Sequence, residues 1–146
     1  MTHCHECGAV QRPTQRRSSP QHRRFFKMIT AAFDQWPHNH AFQPDDAEHL
    51  RAWLLCKVGY RKTVQLDDAN AMSVPMLRAA FKAAGHHAWF HTAGTDVWII
   101  APKSMSFSEM GHRTACDVMA AIDDLICDVL CVRSTDDLLQ ETARAA

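Results

Sequence analysis

Residues 87–102 read HAWFHTAGTDVWIIAP, and this stretch decides the predicted fold class. Two apolar runs flank a turn that contains Gly94. Runs rich in aromatic and β-branched residues on both sides of a glycine turn are typical of a β-hairpin. We therefore predict paired antiparallel strands at 87–92 and 97–103, with a third strand at 60–66, where apolar and polar residues alternate.

Helical patterns dominate the rest of the sequence from residue 19 onwards. Apolar side chains recur at three-and-four spacing over 20–36, after a Ser19-Pro20 start and before Pro37. Further helices are predicted to begin at 44–46, at Ser73, at the capping box Ser106-x-x-Glu109 and, as a short last element, at Asp136. The predicted fold is α+β, with helices packed on a small antiparallel sheet in the order helix-helix-strand-helix-hairpin-long C-terminal helix.

The pattern divides the chain into an arm and one domain. Residues 1–18 have no apolar periodicity and are rich in Arg, Gln, Thr and Pro, so we predict a flexible basic arm that bears Cys and His. Residues 19–146 contain neither an internal repeat nor an interdomain linker, which favours a single α+β domain. A chain of 146 residues with 47% hydrophobic residues can build one ordinary core.

The predicted compartment is the cytoplasm. The sequence has no apolar run of about 18 residues, as a membrane helix would need. Its beginning lacks the apolar core of a signal peptide. Three of the six cysteines, Cys56, Cys116 and Cys127, lie in apolar or helical patterns that suit buried, reduced thiols.

A formal net charge of zero hides an uneven distribution of charge. Six basic residues stand against one acid, Glu6, between Met1 and Lys27. Seven acids stand against one base, Arg133, between Asp117 and Glu141. The chain therefore has a basic beginning and an acidic end, and only the former favours a polyanionic partner.

Cys4-x-x-Cys7, with His3 and His5 beside it, is the sharpest local motif. Zinc prefers four tetrahedral nitrogen or sulfur ligands, and this pair of thiolates supplies half of such a site. We predict zinc as the candidate cofactor, with Cys4, Cys7, His3 and His5 as candidate ligands. A metal-free arm is the alternative.

A second cluster is cationic and leads into the first helix. Arginine forks and a helix N-terminus both suit phosphate groups, and Phe25 or Phe26 could stack on a base if exposed. The predicted nucleic-acid-binding residues are Arg16, Arg17, His22, Arg23, Arg24 and Lys27. A solvated basic surface without a ligand is the alternative.

Three segments resemble a phage and prophage protein family of unknown function, whose members are commonly encoded among replication and recombination genes. Residues 19–29 (SPQHRRFFKMI) resemble its N-P-x-x-H-R-[RK]-F-F-x-L-L segment. Residues 102–110 (PKSMSFSEM) resemble its [PK]-[RK]-S-I-[AS]-F-x-x-M segment, and residues 50–60 resemble the join between a helix and a strand. The Cys4-x-x-Cys7 arm and the length of residues 67–97 depart from that family's pattern.

A shorter likeness concerns residues 19–23 (SPQHR), which are similar to the S-x-x-Q-N-R start of the lambda NinB (Orf) recombination proteins. Those proteins bind single-stranded DNA and act beside single-strand-binding protein. The likeness implies DNA binding for this chain and identifies no catalytic residue.

The leading functional hypothesis is a non-enzymatic DNA-binding accessory protein of phage-type recombination or replication, acting on single-stranded or branched DNA. One alternative is a module that docks on a host or phage protein through its acidic end or an exposed tryptophan, and a homo-oligomer is compatible with either role. Another is a metal-dependent nuclease that uses Asp and His side chains, for which the sequence has no recognisable ligand set. Asp124 and Asp128 are four residues apart and could bind a divalent ion, with a solvated acidic face as the alternative. No residue pattern names a reaction, which favours a protein that is not an enzyme.

Overall fold

Five helices, a three-stranded sheet and a short two-stranded pairing lie within the described residues of this computed structural model. Those residues are 3–4, 9–10, 19–67, 73–105 and 110–145. The helices are α1 (Ser19–Asp34), α2 (Ala47–Lys57), α3 (Ser73–Ala83), α4 (His112–Leu130) and α5 (Thr135–Ala145). The strands are β1 (His3–Cys4), β2 (Ala9–Val10), β3 (Arg61–Leu66), β4 (Trp89–Ala93) and β5 (Asp96–Pro102).

The three-stranded sheet confirms the predicted α+β class. Its order is β3-β5-β4, and both pairings are antiparallel. Gly94 and Thr95 form the two-residue loop of the β4–β5 hairpin, and Gly94 has a φ of +62°. Glycine adopts this left-handed conformation without the steric penalty that a Cβ atom would impose. Trp89 lies opposite Ile100 in this hairpin, and Trp98 lies opposite His91.

The main hydrophobic core lies among four helices, one of which, α2, also contacts β5 of the sheet. Its fully buried side chains include Phe25, Met28, Ile29, Leu50, Leu54, Ile122, Ile126 and Leu138, which come from α1, α2, α4 and α5. A smaller core forms separately, where Val74 of α3 packs with Val97 and Ile99 of β5. The helical core therefore holds α1 and α5 together, and this pair of helices shapes the candidate site.

A chain of aromatic rings anchors the segment between α1 and α2. The indole nitrogen of Trp36 donates a hydrogen bond to the carbonyl of Phe42, at 2.8 Å. Phe42 in turn stacks face to face on Trp53, with 4.7 Å between ring centroids and 2° between planes. His49 extends the chain, because its ring stacks on His87 at 5.0 Å and on Trp89 at 5.8 Å.

His49 makes the stability of the fold sensitive to pH. Burial, and next the nearby His87, lower the pKa of His49 below its ordinary value of 6.5, although Asp45 and Asp46 oppose this. The main-chain N–H of Asp45 donates to Nδ1 of His49, so the neutral ring carries its proton on Nε2. The stacked pair therefore favours an uncharged His49.

We expect the free energy of unfolding to fall between pH 7.5 and pH 5.5. The unfolded chain binds a proton at His49 as the pH passes through 6.5, whereas the folded chain binds it only at lower pH, so acid stabilises the unfolded state. Urea denaturation at both pH values measures the loss. His49→Phe should reduce it, and His38→Phe, at an exposed histidine, should keep the wild-type slope. Equal slopes in the three proteins would contradict this assignment.

The long helix starts later than the sequence pattern predicts. The predicted capping box at 106–109 lies outside the described residues, and α4 begins at His112 with Gly111 at its N-cap. Met110 is fully buried in the main core, so the chain reaches the core before the helix starts.

The prediction of buried thiols is wrong for Cys116 and Cys127, which are partly exposed, whereas Cys56 is buried. The four cysteines whose side chains the structure describes, Cys56, Cys116, Cys127 and Cys131, are free.

The predicted arm lies almost wholly outside the described residues. Its described part is the antiparallel pairing of His3 with Val10 and of Cys4 with Ala9. The flexibility of residues 1–18 stays a prediction. None of the helices in the described ranges combines the length and the apolar character that a membrane span requires.

Candidate nucleic-acid interface

A groove between α1 and α5 brings four of the predicted nucleic-acid-binding residues together. It has a volume of about 940 Å³. Residues of α1 line one side, and the α5 residues Leu139, Thr142 and Ala143 line the other. The predicted residues that line the groove are His22, Arg23, Arg24 and Lys27. Buried Leu138, in the neighbouring turn of α5, keeps that helix against the core.

Arg23 and Lys27 are the available cations of this groove. They are four residues apart and therefore share one face of α1. Both side chains are exposed. Within the described part of the chain, neither makes an ion pair with a carboxylate. Their positive charges are thus accessible to an anion from solution.

Arg24 plays a different part, because its guanidinium faces carboxylates of the protein itself. Nη2 donates to Asp136 at 2.8 Å and to the hydroxyl of Thr135 at 3.0 Å. Nη1 lies 3.9 Å from Asp123 of α4. The hydrogen bond with Asp136 is the largest influence that raises the pKa of Arg24. Arg24 therefore joins α1 to α4 and α5, and its charge is already balanced.

The carboxylate of Asp123, one of the groups that Arg24 faces, is partly buried. Burial raises the pKa of its carboxyl group, and Arg24 opposes the effect. One oxygen, Oδ1, is buried without a hydrogen-bond partner among the described residues. A half-buried carboxylate with an unsatisfied oxygen depends on the nearest cation for compensation. Arg24 is that cation.

Two aromatic rings complete the wall of the groove on α1. The rings of His22 and Phe26 lie 4.8 Å apart, and Phe26 also meets the edge of Phe25 at 5.6 Å. Phe25 belongs to the core, whereas Phe26 is partly exposed and lines the groove. Nδ1 of His22 is buried and has no hydrogen-bond partner within the described ranges. The groove therefore offers aromatic surface beside its two accessible cations.

The acids of the C-terminal region do not enter the groove. Asp136, Asp137 and Glu141 are exposed on α5, but none of the described residues that line the groove is a carboxylate. The chain of zero net charge thus has a cationic groove and acidic surfaces outside it, and Asp136 borders the groove through its hydrogen bond with Arg24. A local field of this kind attracts anions even when the total charge is zero.

The positions of the remaining predicted site residues relative to this groove are not described. Arg16, Arg17, Cys7 and His5 lie outside the described residues, as do the side chains of His3 and Cys4. In the parts of the chain that the structure does describe, no three His, Cys, Asp or Glu side chains form a metal-binding group. Zinc binding by Cys4, Cys7, His3 and His5 stays a prediction.

The sequence pattern predicted too short a helix at the α5 wall of the groove. Its length, from Thr135 to Ala145, exceeds the short element predicted from Asp136. A signal was present, since the hydroxyl of Ser134 accepts a hydrogen bond from the N–H of Asp137 at 3.2 Å. Ser followed by acids in the first turn is a common start of a stable helix.

No known protein family, curated protein sequence or solved structure matches the chain.

Proposed function

We propose that the chain is a non-enzymatic DNA-binding accessory protein that contacts phosphate groups through Arg23 and Lys27. The observation that carries this proposal is a groove with two exposed cations on one helix face, which form no ion pair with any described residue, and with no carboxylate among its described lining residues. Phosphate contacts supply most of the affinity of proteins that bind nucleic acid without reading sequence.

The aromatic rings of the groove favour single-stranded or branched DNA within this proposal. Unpaired bases present their faces for stacking, whereas those in a duplex are stacked on each other. Phe26 is partly exposed beside Arg23 and Lys27, so a base could stack there while its phosphates meet the cations. The association with phage-type recombination or replication rests only on the resemblances of residues 19–29, 50–60 and 102–110 and on the shorter likeness of residues 19–23.

Fluorescence anisotropy with a labelled single-stranded oligonucleotide at low salt tests the proposal. Arg23→Gln combined with Lys27→Gln should weaken binding about tenfold and flatten the dependence of affinity on salt, because two phosphate contacts are lost. Arg78→Gln combined with Lys82→Gln is the matched control. It removes an Arg and a Lys, both exposed, with the same four-residue spacing on α3.

Equal losses of DNA affinity in the two double variants would contradict a specific role for the groove. A wild-type protein that does not bind the oligonucleotide would also contradict the proposal.

The same oligonucleotides incubated with Mg²⁺ or Mn²⁺ test the nuclease alternative. Asp124 and Asp128 are exposed on α4, and no third ligand completes a metal-binding group with them among the described residues.

A role in protein binding is the second candidate, and Met76 is the observation that favours it. Its side chain is 76% exposed on α3, which is unusual for a large apolar residue. The tryptophans do not support this role, because Trp36 is buried and Trp53, Trp89 and Trp98 are half-buried. A complex that survives high salt and is lost in Met76→Lys, in a protein without DNA binding, would favour this candidate.

A further inference from the structure

A cysteine, a histidine and a glutamine meet at the start of α4, and none of the three is among the described residues that line the groove. Sγ of Cys116 lies 3.6 Å from Nε2 of His112, one helical turn earlier. The side-chain amide of Gln21, on α1, donates to the same sulfur at 3.8 Å. A thiol with a base in hydrogen-bond range and a second polar group beside it has the arrangement of an activated nucleophile.

The other described thiols lack this arrangement. Burial raises the pKa of Cys56 to about 11, so it stays protonated. Burial, followed by the carboxylates of Asp123 and its neighbours, raises the pKa of Cys127. Cys131 is exposed, but its sulfur faces the carbonyl of Asp128 at 3.8 Å, which cannot remove a proton. Cys116 is thus the described thiol that has both partial exposure and a basic neighbour.

We propose that Cys116 is a reactive thiol, activated by His112, that forms mixed disulfides with low-molecular-weight disulfides. Nε2 of His112 accepts the thiol proton as the sulfur of Cys116 attacks one sulfur of the small disulfide. A bond forms between these two sulfurs and the disulfide bond of the small molecule breaks. Cys116 is oxidised to the mixed disulfide, and the leaving thiolate takes the proton from His112 and departs as a reduced thiol.

Gln21 contributes through its amide N–H groups, which stabilise negative charge as it develops on the sulfur. His112 is exposed at the first position of α4, so it can exchange its proton with water and with the departing thiolate. This activity does not depend on DNA binding by the groove.

Oxidised glutathione is the probe for the test, with each modified cysteine identified by mass spectrometry of proteolytic peptides. Cys131 is the internal reference, because it is more exposed than Cys116 and has no basic partner within the described residues. Exposure alone predicts that Cys131 reacts faster. We expect the initial rate at Cys116 to exceed that at Cys131 by about tenfold at neutral pH.

His112→Ala should lower the rate at Cys116 to that of Cys131 or below, and should leave the rate at Cys131 unchanged. Because His112 is exposed, circular dichroism should show unchanged helix content in this variant. Gln21→Ala should give a smaller decrease at Cys116. A faster reaction at Cys131 in the wild-type protein, or an unchanged rate at Cys116 in folded His112→Ala, would overturn the proposal.

Discussion

Phe25→Ala is expected to lower the free energy of unfolding by about 3–5 kcal/mol, the usual cost of removing a buried phenyl ring. Phe25 is only 2% exposed and packs within the four-helix core. Its neighbour Phe26 lies on the groove side of α1, where water or a ligand can fill the space that a smaller side chain leaves. Phe26→Ala should therefore cost no more than about 1.5 kcal/mol. Urea denaturation of both variants measures the difference.

The two phenylalanine variants also distinguish an effect on folding stability from an effect on DNA binding. Phe26→Ala should remain folded and bind single-stranded DNA about tenfold more weakly, because an aromatic stacking surface is lost. If Phe26→Ala proved as destabilising as Phe25→Ala, Phe26 would belong to the core and not to the groove. If it stayed folded and bound DNA at full affinity, base stacking at this ring would be excluded.

Arg24→Ala is expected to lower the free energy of unfolding by roughly 2 kcal/mol, more than an ordinary surface ion pair contributes. Arg24 contacts three groups on two other helices, Asp123, Thr135 and Asp136. The expected loss is smaller than the sum of three charged contacts, because the Arg24 side chain is 41% exposed and solvent screens its charge. Thermal and urea unfolding at pH 7 measure it.

The loss should shrink as the pH falls. Burial already raises the pKa of Asp123 in the folded protein, and without Arg24 that pKa rises further. Once the pH falls through the folded-state value, Asp123 is neutral and no longer needs a cation, so the part of the Arg24→Ala loss that comes from Asp123 disappears, whereas the part that comes from Thr135 and Asp136 remains. A penalty that does not depend on pH would contradict this account.

Arg23→Ala is the control for both readouts. Arg23 is the next residue on the same helix, is exposed and has no ion-pair partner in the described part of the chain. Its replacement should leave stability within about 0.5 kcal/mol of wild type, as usual for a surface site, and should weaken DNA binding. Arg24→Ala should lower the stability and should leave DNA binding largely unchanged. Identical behaviour of the two variants would contradict the distinction between an available and a balanced arginine.

The order and type of the elements from residue 19 onwards could be predicted because they depend on local patterns. A backbone with 3.6 residues per turn places Phe25, Ile29 and Ala32 on one face wherever the helix lies. Gly94 marks the hairpin because few other residues adopt its left-handed conformation readily. The start of α4 could not be predicted from the apparent capping box, because Met110, between that signal and the helix, is buried in the main core, and no local pattern shows this tertiary contact.

The cationic start of α1 could also be identified from the sequence, but the roles of its residues could not. Arg23 and Arg24 are adjacent and chemically identical, so no local pattern separates them. Their difference arises because α5 returns to α1 and brings Asp136 within 2.8 Å of Arg24. Similarly, spacing alone does not tell which of Phe25 and Phe26 faces the core.

The sequence by itself determined the α+β class, the cationic segment and the amphipathic character of each main helix, because these follow from backbone periodicity and side-chain chemistry. Tertiary structure alone decided that α5 forms the second wall of the groove and that Arg24 is balanced while Arg23 and Lys27 stay available. It also joined Gln21 to Cys116, 95 residues along the chain. Such contacts depend on how distant helices pack, and helix packing is set by the whole core rather than by neighbours in sequence.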